Sequence, residues 1–137
     1  MNVNALFLAD TAEMRDDRLE VTGGAWDLLR AAAWPAAHSF QVVALLAPSA
    51  AEVGQELETS LRVFAPDGSA AGGIDATIVL ASHRDQAPVV MPLAAEFEGP
   101  GTYTVAVLVG EAEGSVTFDV VGPAPEVRVQ QVEQSLD

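Results

Sequence analysis

Carboxylates are the chemically capable groups that this sequence holds in quantity: 20 Asp and Glu against six basic residues in 137, every basic one an arginine. Asp10, Glu13, Asp16 and Asp17 lie close together near the start of the chain. Such a set could gather around Ca²⁺, because hard cations take several carboxylate oxygens at once. Asp67, Asp75 and Asp85 offer a second set. Neither follows the Asp-x-Asp-x-Asp-Gly order of a dedicated calcium loop. Arg15 and Arg18 sit inside the first set and would oppose a cation. Asp10, Asp16 and Asp17 are therefore the metal candidates, and the expectation is that no metal or cofactor is needed. His38 and His83 stand alone, without the His-x-x-x-His or Glu-x-x-His spacing of a zinc site. The chain has no cysteine, which removes disulfides, thiol catalysis and cysteine-ligated zinc. No Gly-x-Ser-x-Gly elbow marks a nucleophilic serine. Gly72-Gly73 lacks the Lys-Ser or Lys-Thr that completes a phosphate loop. The expectation is a protein that is not an enzyme.

Contact with other molecules is the alternative to chemistry. The formal net charge of -14 repels phosphate backbones and anionic lipid surfaces, so neither nucleic acid nor membrane is an expected partner. Between Arg84 and Arg128 every charged residue is acidic: Asp85, Glu96, Glu98, Glu111, Glu113, Asp119 and Glu126. That stretch reads either as a solvated flank that keeps the protein soluble or as a docking face for a basic partner. Trp34, beside Pro35 in an Ala-rich loop, is a candidate anchor. Val129, Val132 and Leu136 could form a helical stripe, or Val127 and Val129 an edge strand, in an arm that pairs with another chain. Apolar runs such as Val42–Pro48 fall far short of the ~20 residues of a membrane span. The first ten residues carry no basic region of a secretory leader. A cytoplasmic location is expected.

The elements that would carry these residues are strands. In Gly99–Val121, Tyr103, Val105, Val107 and Val109 fall on one face of a first strand, and Val116, Phe118 and Val120 on one face of a second. Alternation with period two is the signature of a half-buried antiparallel strand. Gln55–Ala65 alternates as cleanly, with Leu57, Thr59, Leu61 and Val63 opposed to Glu56, Glu58, Ser60 and Arg62. Pro66-Asp67-Gly68 supplies turn chemistry at its end. Further strands are expected over Val3–Ala9, ended by Asp10, and over Arg18–Thr22, with Leu19 and Val21 inward. A strand followed by a loop is expected over Ala25–Ala33, closed by Trp34-Pro35, and others over His38–Ala47, Ile74–Ala81 and Pro88–Phe97, the last irregular or at an edge because of Pro92. Ser49 caps one helical turn after Pro48, and Tyr103 is placed to bond back to the Gly99-Pro100-Gly101 corner. Trp26, Trp34, Phe40 and Phe64 are read as core rings, with a pocket between sheets as the other possibility. The fold class that follows is all-β: a single-domain antiparallel β-sandwich, Ig-like or jelly-roll-like, of about eight strands. Residues 1–121 form the domain and 122–137 a polar C-terminal tail.

Ala5, Leu8, Ala9 and Asp10, then Leu19, Gly23, Gly24 and Trp26, resemble the opening of a family of small uncharacterised bacterial proteins. Pro100, Gly101 and Tyr103 match that family's late Pro-Gly-x-Tyr strand, and the resemblance spans residues 3–121. It departs at the turn, where Asp17 and Arg18 replace the usual Gly-Lys. It implies a standalone β-sandwich with no established activity, in which Gly23, Gly24 and Trp26 shape the core. The resulting expectation is a non-catalytic protein acting through protein–protein contact as an adaptor, accessory factor or structural subunit. Self-association into a homo-oligomer is one form of that contact. A small-ligand or Ca²⁺-binding module with a loop-end site is the alternative.

Overall fold

The computed structural model describes residues 1–81 and 86–123. They are organised as nine strands: β1 (Asn2–Arg15), β2 (Arg18–Gly24), β3 (Leu28–Arg30), β4 (Ala36–Ala47), β5 (Glu56–Phe64), β6 (Ala70–Val79), β7 (Ala87–Phe97), β8 (Gly101–Val109) and β9 (Ala112–Val121). A single turn of 3-10 helix, Ala50–Glu52, lies between β4 and β5. Glu52 secures it by accepting bonds from the Ser49 amide and hydroxyl, both at 2.8 Å. The fold is all-β. All strands join one continuous sheet in the order β2-β1-β4-β7-β6-β5-β8-β9-β3.

That sheet curls over itself into a sandwich. One half is β2-β1-β4-β7 and the other is β6-β5-β8-β9-β3. Between the halves the ladder is reduced to one residue pair, Gly72↔Ala95. Gly72 is what permits it, because a Cβ there would collide with the Ala94 carbonyl. On the opposite flank β1 meets β9, where a Cβ on Gly114 would sit 3.1 Å from Val3 Cγ1. β7 pairs along its whole length with β4. Its prolines, Pro88 and Pro92, share a parity, and the side of β7 with almost no ladder faces β6. A proline there forfeits no sheet hydrogen bond.

The core fills the space between the halves. Phe40, Val42, Leu61, Val63, Phe97, Tyr103, Val105, Val107 and Phe118 are each at most 2 % exposed. Trp26, His38, Phe40, Phe118, Phe97 and Tyr103 form a continuous run of rings, with neighbouring centroids 4.8–6.3 Å apart and mostly edge-to-face. Each such contact adds about 0.5–1.5 kcal/mol beyond area burial. Within the run, the buried Trp26 Nε1 and His38 Nε2 make no hydrogen bond. That works against the gain by about 1–3 kcal/mol per atom. Tyr103 has its partner: the hydroxyl donates to the Gly99 carbonyl at 2.7 Å, as the corner reading expected.

Four local expectations change. Asp10 does not end the first strand; β1 continues to Arg15 and turns tightly through Asp16 and Asp17, both with positive φ (51° and 61°). Two left-handed residues between Arg15 and Arg18 are the geometry of a two-residue hairpin, for which Asp is tolerated. Val21 is not inward but 36 % exposed, because β2 is an edge strand. β6 runs Ala70–Val79, beginning four residues before the start expected at Ile74. Finally β3, only three residues long, docks parallel to β9. The strand expected over Ala25–Ala33 thus contracts to Leu28–Arg30, and the described residues form nine strands where about eight were expected.

Candidate functional site

The site follows from strand parity. In β5 the odd residues Leu57, Thr59, Leu61 and Val63 are buried, so Glu56, Glu58, Ser60, Arg62 and Phe64 point outward. The register carries this outer face across its neighbours. Val79, Thr77, Asp75 and Gly73 of β6 lie opposite Glu56, Glu58, Ser60 and Arg62. Leu108, Ala106 and Thr104 of β8 lie opposite Ser60, Arg62 and Phe64. Glu113, Ser115 and Thr117 of β9 follow, then Asp119 beside Leu28 of β3. No other element of the described residues is packed on this face.

Its composition is unusual for a solvated sheet. Among the described residues the exposed large apolar side chains are Met14, Val21, Leu28, Phe64, Val79 and Leu108, and four of these six are on this face. Leu108 is 43 % exposed and Val79 54 %. Between them sit Ser60, Ala106 and Ser115, whose small side chains leave a depression of about 520 Å³ bounded by Arg62, Phe64, Leu108 and Glu113. A second depression of about 590 Å³ lies beside it, between Glu58, Ser60, Asp75, Thr77 and Leu108. Scattered apolar residues on a surface are ordinary; a concentration on one face marks contact with something.

Carboxylates frame that face. Glu56, Glu58, Asp75, Glu113 and Asp119 stand against Arg62 and Arg30. Arg62 is committed: one guanidinium nitrogen donates to the carbonyls of Leu61 (2.7 Å) and Ile74 (3.0 Å), and the other meets Asp75 at 2.8 Å. Asp119 accepts the Thr102 hydroxyl at 2.7 Å. The resulting field is negative around an apolar centre.

The open side of β6 adjoins this face. β5 satisfies one side of β6 from Glu56↔Val79 to Phe64↔Ala70, whereas β7 meets the other side only at Gly72. The two edges then diverge. A cleft of about 560 Å³ opens between them, lined by Ile78, Val79, Leu80, Pro88, Val89 and Met14 among others. Met14 places the tip of the β1–β2 hairpin against this end of the sandwich.

The metal candidates are not brought together. Among the described residues no group of three or more His, Asp or Glu is placed to hold an ion. Asp16 and Asp17 form the hairpin turn, while Asp10 is six residues back along β1, roughly 20 Å at ~3.3 Å per residue. Asp10 instead lies against Gly23, where a Cβ would strike its carboxylate. Asp67 closes the β5–β6 turn by accepting the Ser69 hydroxyl (2.6 Å) and amide (2.9 Å), which hold its carboxyl below the usual range. Asp75 faces Arg62, and Asp85 lies outside the described residues. Trp34 is half-buried against the core, joined to Pro35 by a cis peptide. Val127, Val129 and Val132, with the whole tail after Pro123, lie outside the described residues. Of the rings read as core, Trp26 and Phe40 are in the aromatic run, but Phe64 is on the outer face at 37 % exposure. The signal for Phe64, Val79 and Leu108 was in the sequence. Each is a large apolar residue at the polar parity of an alternating strand.

No match is found among curated proteins. The chain is similar to the CARDB domain of a Pyrococcus furiosus protein solved in complex with di-metal ions, with 14% identity and a TM-score of 0.44 over 88% of this chain and 90% of that one. It is also similar to the alkylpurine DNA glycosylase AlkC of Pseudomonas fluorescens solved bound to DNA containing an abasic site analogue. There the identity is 14% and the TM-score 0.34, over 69% of this chain and 28% of that one. No helix among the described residues is long and apolar enough to cross a membrane. A family model matches residues 4–121, nearly the span over which Ala9-Asp10, Gly23-Gly24-x-Trp26 and Pro100-Gly101-x-Tyr103 carried the resemblance, and the chain belongs to that family, the family of unknown function DUF6941.

Proposed function

We propose that this protein is a non-catalytic binding module that works by protein–protein contact through the outer face of β6-β5-β8-β9-β3. The observation that carries the reading is the concentration of Leu28, Phe64, Val79 and Leu108 on one sheet face that no other described element covers. Large apolar side chains at solvent-facing positions of regular strands do nothing for the core. Burying them against a partner gains about 25 cal/mol per Å² of apolar surface. The framing carboxylates select the partner's chemistry. A second copy would set Glu56, Glu58, Asp75, Glu113 and Asp119 against like charges, and like-charge juxtaposition disfavours association. A partner with a basic rim around an apolar centre is complementary. In a chain of net charge -14 the same field speeds its approach. Adaptor, accessory factor and structural subunit are all roles that such a surface serves.

The test pairs wild type with a Phe64→Asp/Leu108→Asp double variant. Both are used, tagged, to capture proteins from an extract of the cells that make them, at low and at high salt. The reading expects a stoichiometric partner held by wild type at low salt, released by salt and lost by the variant. A partner held equally by both, or wild type that self-associates as it is concentrated, contradicts it.

A further inference from the structure

The open side of β6 says what form the partner takes. From Ile74 to Val79 the backbone of β6 is paired with β5 on one side and, among the described residues, with nothing on the other. Natural sheets usually blunt such an edge with proline, charge or a covering element. β7 is blunted in this way by Pro88 and Pro92. β6 holds no proline, and its only charged residue is Asp75, which leans across its own sheet to Arg62. The edge that could accept a strand is thus left competent, while the edge facing it across the cleft is disabled.

We propose that β6 takes up an extended segment of the partner as an added strand, in which apolar residues alternate with arginine or lysine. This deepens the reading of the face as a protein contact and rests on it. The alternation follows from the two sides of β6. Ile74, Ile78 and Leu80 are directed toward the sandwich interior, and Ile78 and Leu80 line a cleft whose walls, with Met14, Pro88 and Val89, are mostly apolar. One set of side chains on the added strand enters that cleft and must be apolar. The other set emerges on the outer face beside Asp75, Thr77 and Val79. There the neighbouring depression carries the carboxylates of Glu58 and Asp75, with Glu56 next to it. A long cationic side chain reaches over Thr77 into that depression. Ladder hydrogen bonds supply affinity, and the alternate side chains supply selection.

The probe is a heptapeptide alternating Arg and Val, capped at both ends. It is titrated into the full chain and followed by amide NMR shifts and hydrogen exchange. Three peptides of the same composition accompany it: one with the arginines and valines in separate blocks, one N-methylated at every Val, and one N-methylated at every Arg. N-methylation removes the N–H groups of one strand edge and keeps the side chains. The expected result is slowed exchange at β6 amides between residues 74 and 79, weaker binding of the block peptide, and a loss of about tenfold or more for one of the two methylated forms, since the ladder bonds on one edge are removed. Glu58→Lys is expected to weaken the alternating peptide by several-fold. Equal binding of all four peptides, with shifts at Phe64, Leu108 and Ser115 and none along β6, overturns strand addition while leaving the outer face as a contact surface. No binding by any peptide at millimolar concentration overturns strand addition as well. The face itself is judged separately, by whether the captured partner survives the Phe64→Asp/Leu108→Asp substitution.

Discussion

Tyr103→Phe isolates one hydrogen bond in an otherwise unchanged core. The Tyr103 ring is 2 % exposed and packs against Phe97 at 4.8 Å and Phe118 at 5.9 Å. Phenylalanine keeps both contacts. What it loses is the 2.7 Å bond from the hydroxyl to the Gly99 carbonyl, which ties the start of β8 to the corner that precedes it. A net intramolecular hydrogen bond contributes about 0.5–1.5 kcal/mol. Gly99 is only half-buried, so water can take over its carbonyl, and the expected cost is about 1 kcal/mol. In urea, with a slope of about 1–3 kcal/mol per molar, that lowers the midpoint by roughly half a molar and leaves the slope unchanged. Tyr103→Ala removes the ring as well and should cost about 3–5 kcal/mol. The assay is equilibrium urea unfolding of wild type and both variants, followed by far-ultraviolet circular dichroism and tryptophan fluorescence, whose coincidence establishes two-state behaviour. If Tyr103→Phe matches wild type within ~0.3 kcal/mol, below what a net hydrogen bond contributes, the corner bond does not stabilise the fold. If it costs as much as Tyr103→Ala, the division into bond and packing is wrong.

The remaining predictions concern the join between the sheet halves, the outer face and the acid limb. Gly72→Val should destabilise by about 1–3 kcal/mol in the same assay, because its side chain meets the backbone of Ala94 and Ala95, which cannot step aside. Val107→Ala, beneath the outer face at 2 % exposure, should cost about 2 kcal/mol. Phe64→Ser, one face away from the core, should cost distinctly less in the same urea unfolding, and a cost equal to that of Val107→Ala would place Phe64 among the residues that hold the fold. Asp67 donates nothing and accepts two bonds from Ser69, so its folded-state pKa is depressed. A depressed carboxylate contributes stability that is present above its unfolded pKa and lost as pH falls through its folded one. The melting difference between wild type and Asp67→Asn should therefore be largest near neutral pH and shrink to nothing once pH drops below the carboxylate range; a difference that persists there would show that Ser69 does not depend on the charge.

Strand content was legible because alternation survives in the chain wherever a strand has one wet face. β5, β8 and β9 show it without interruption, and their burial follows the parity read from sequence. β1 and β2 were harder for a physical reason. Beyond Ala9 they form a hairpin with little burial on either side, and an exposed strand has no pattern to impose. β3 is three residues long and is held by pairing to β9, a contact made across the whole chain. Of the carboxylates on the candidate surface only Glu113 and Asp119 belong to the acidic stretch of residues 85–126, and the polar-parity positions of Phe64, Val79 and Leu108 do not by themselves bring these residues together. Phe64 and Leu108 were each adjacent to a core residue, and only the register between β5 and β8 shows that they share the outward face. The open side of β6 was also beyond local pattern, because it depends on β7 diverging after a single paired residue.

Oxidative footprinting inside the cells that make the protein asks most directly whether the outer face is occupied. Hydroxyl radicals label exposed side chains, and Phe64 and Leu108 are 37 % and 43 % exposed in the isolated chain. Val21, 36 % exposed on the edge strand β2, lies off both the outer face and the β6 cleft and serves as the reference. The account predicts that labelling of Phe64 and Leu108, relative to Val21, falls several-fold in cells compared with the dilute purified protein. Equal relative labelling in the two settings would mean that nothing covers this face, and would contradict the account.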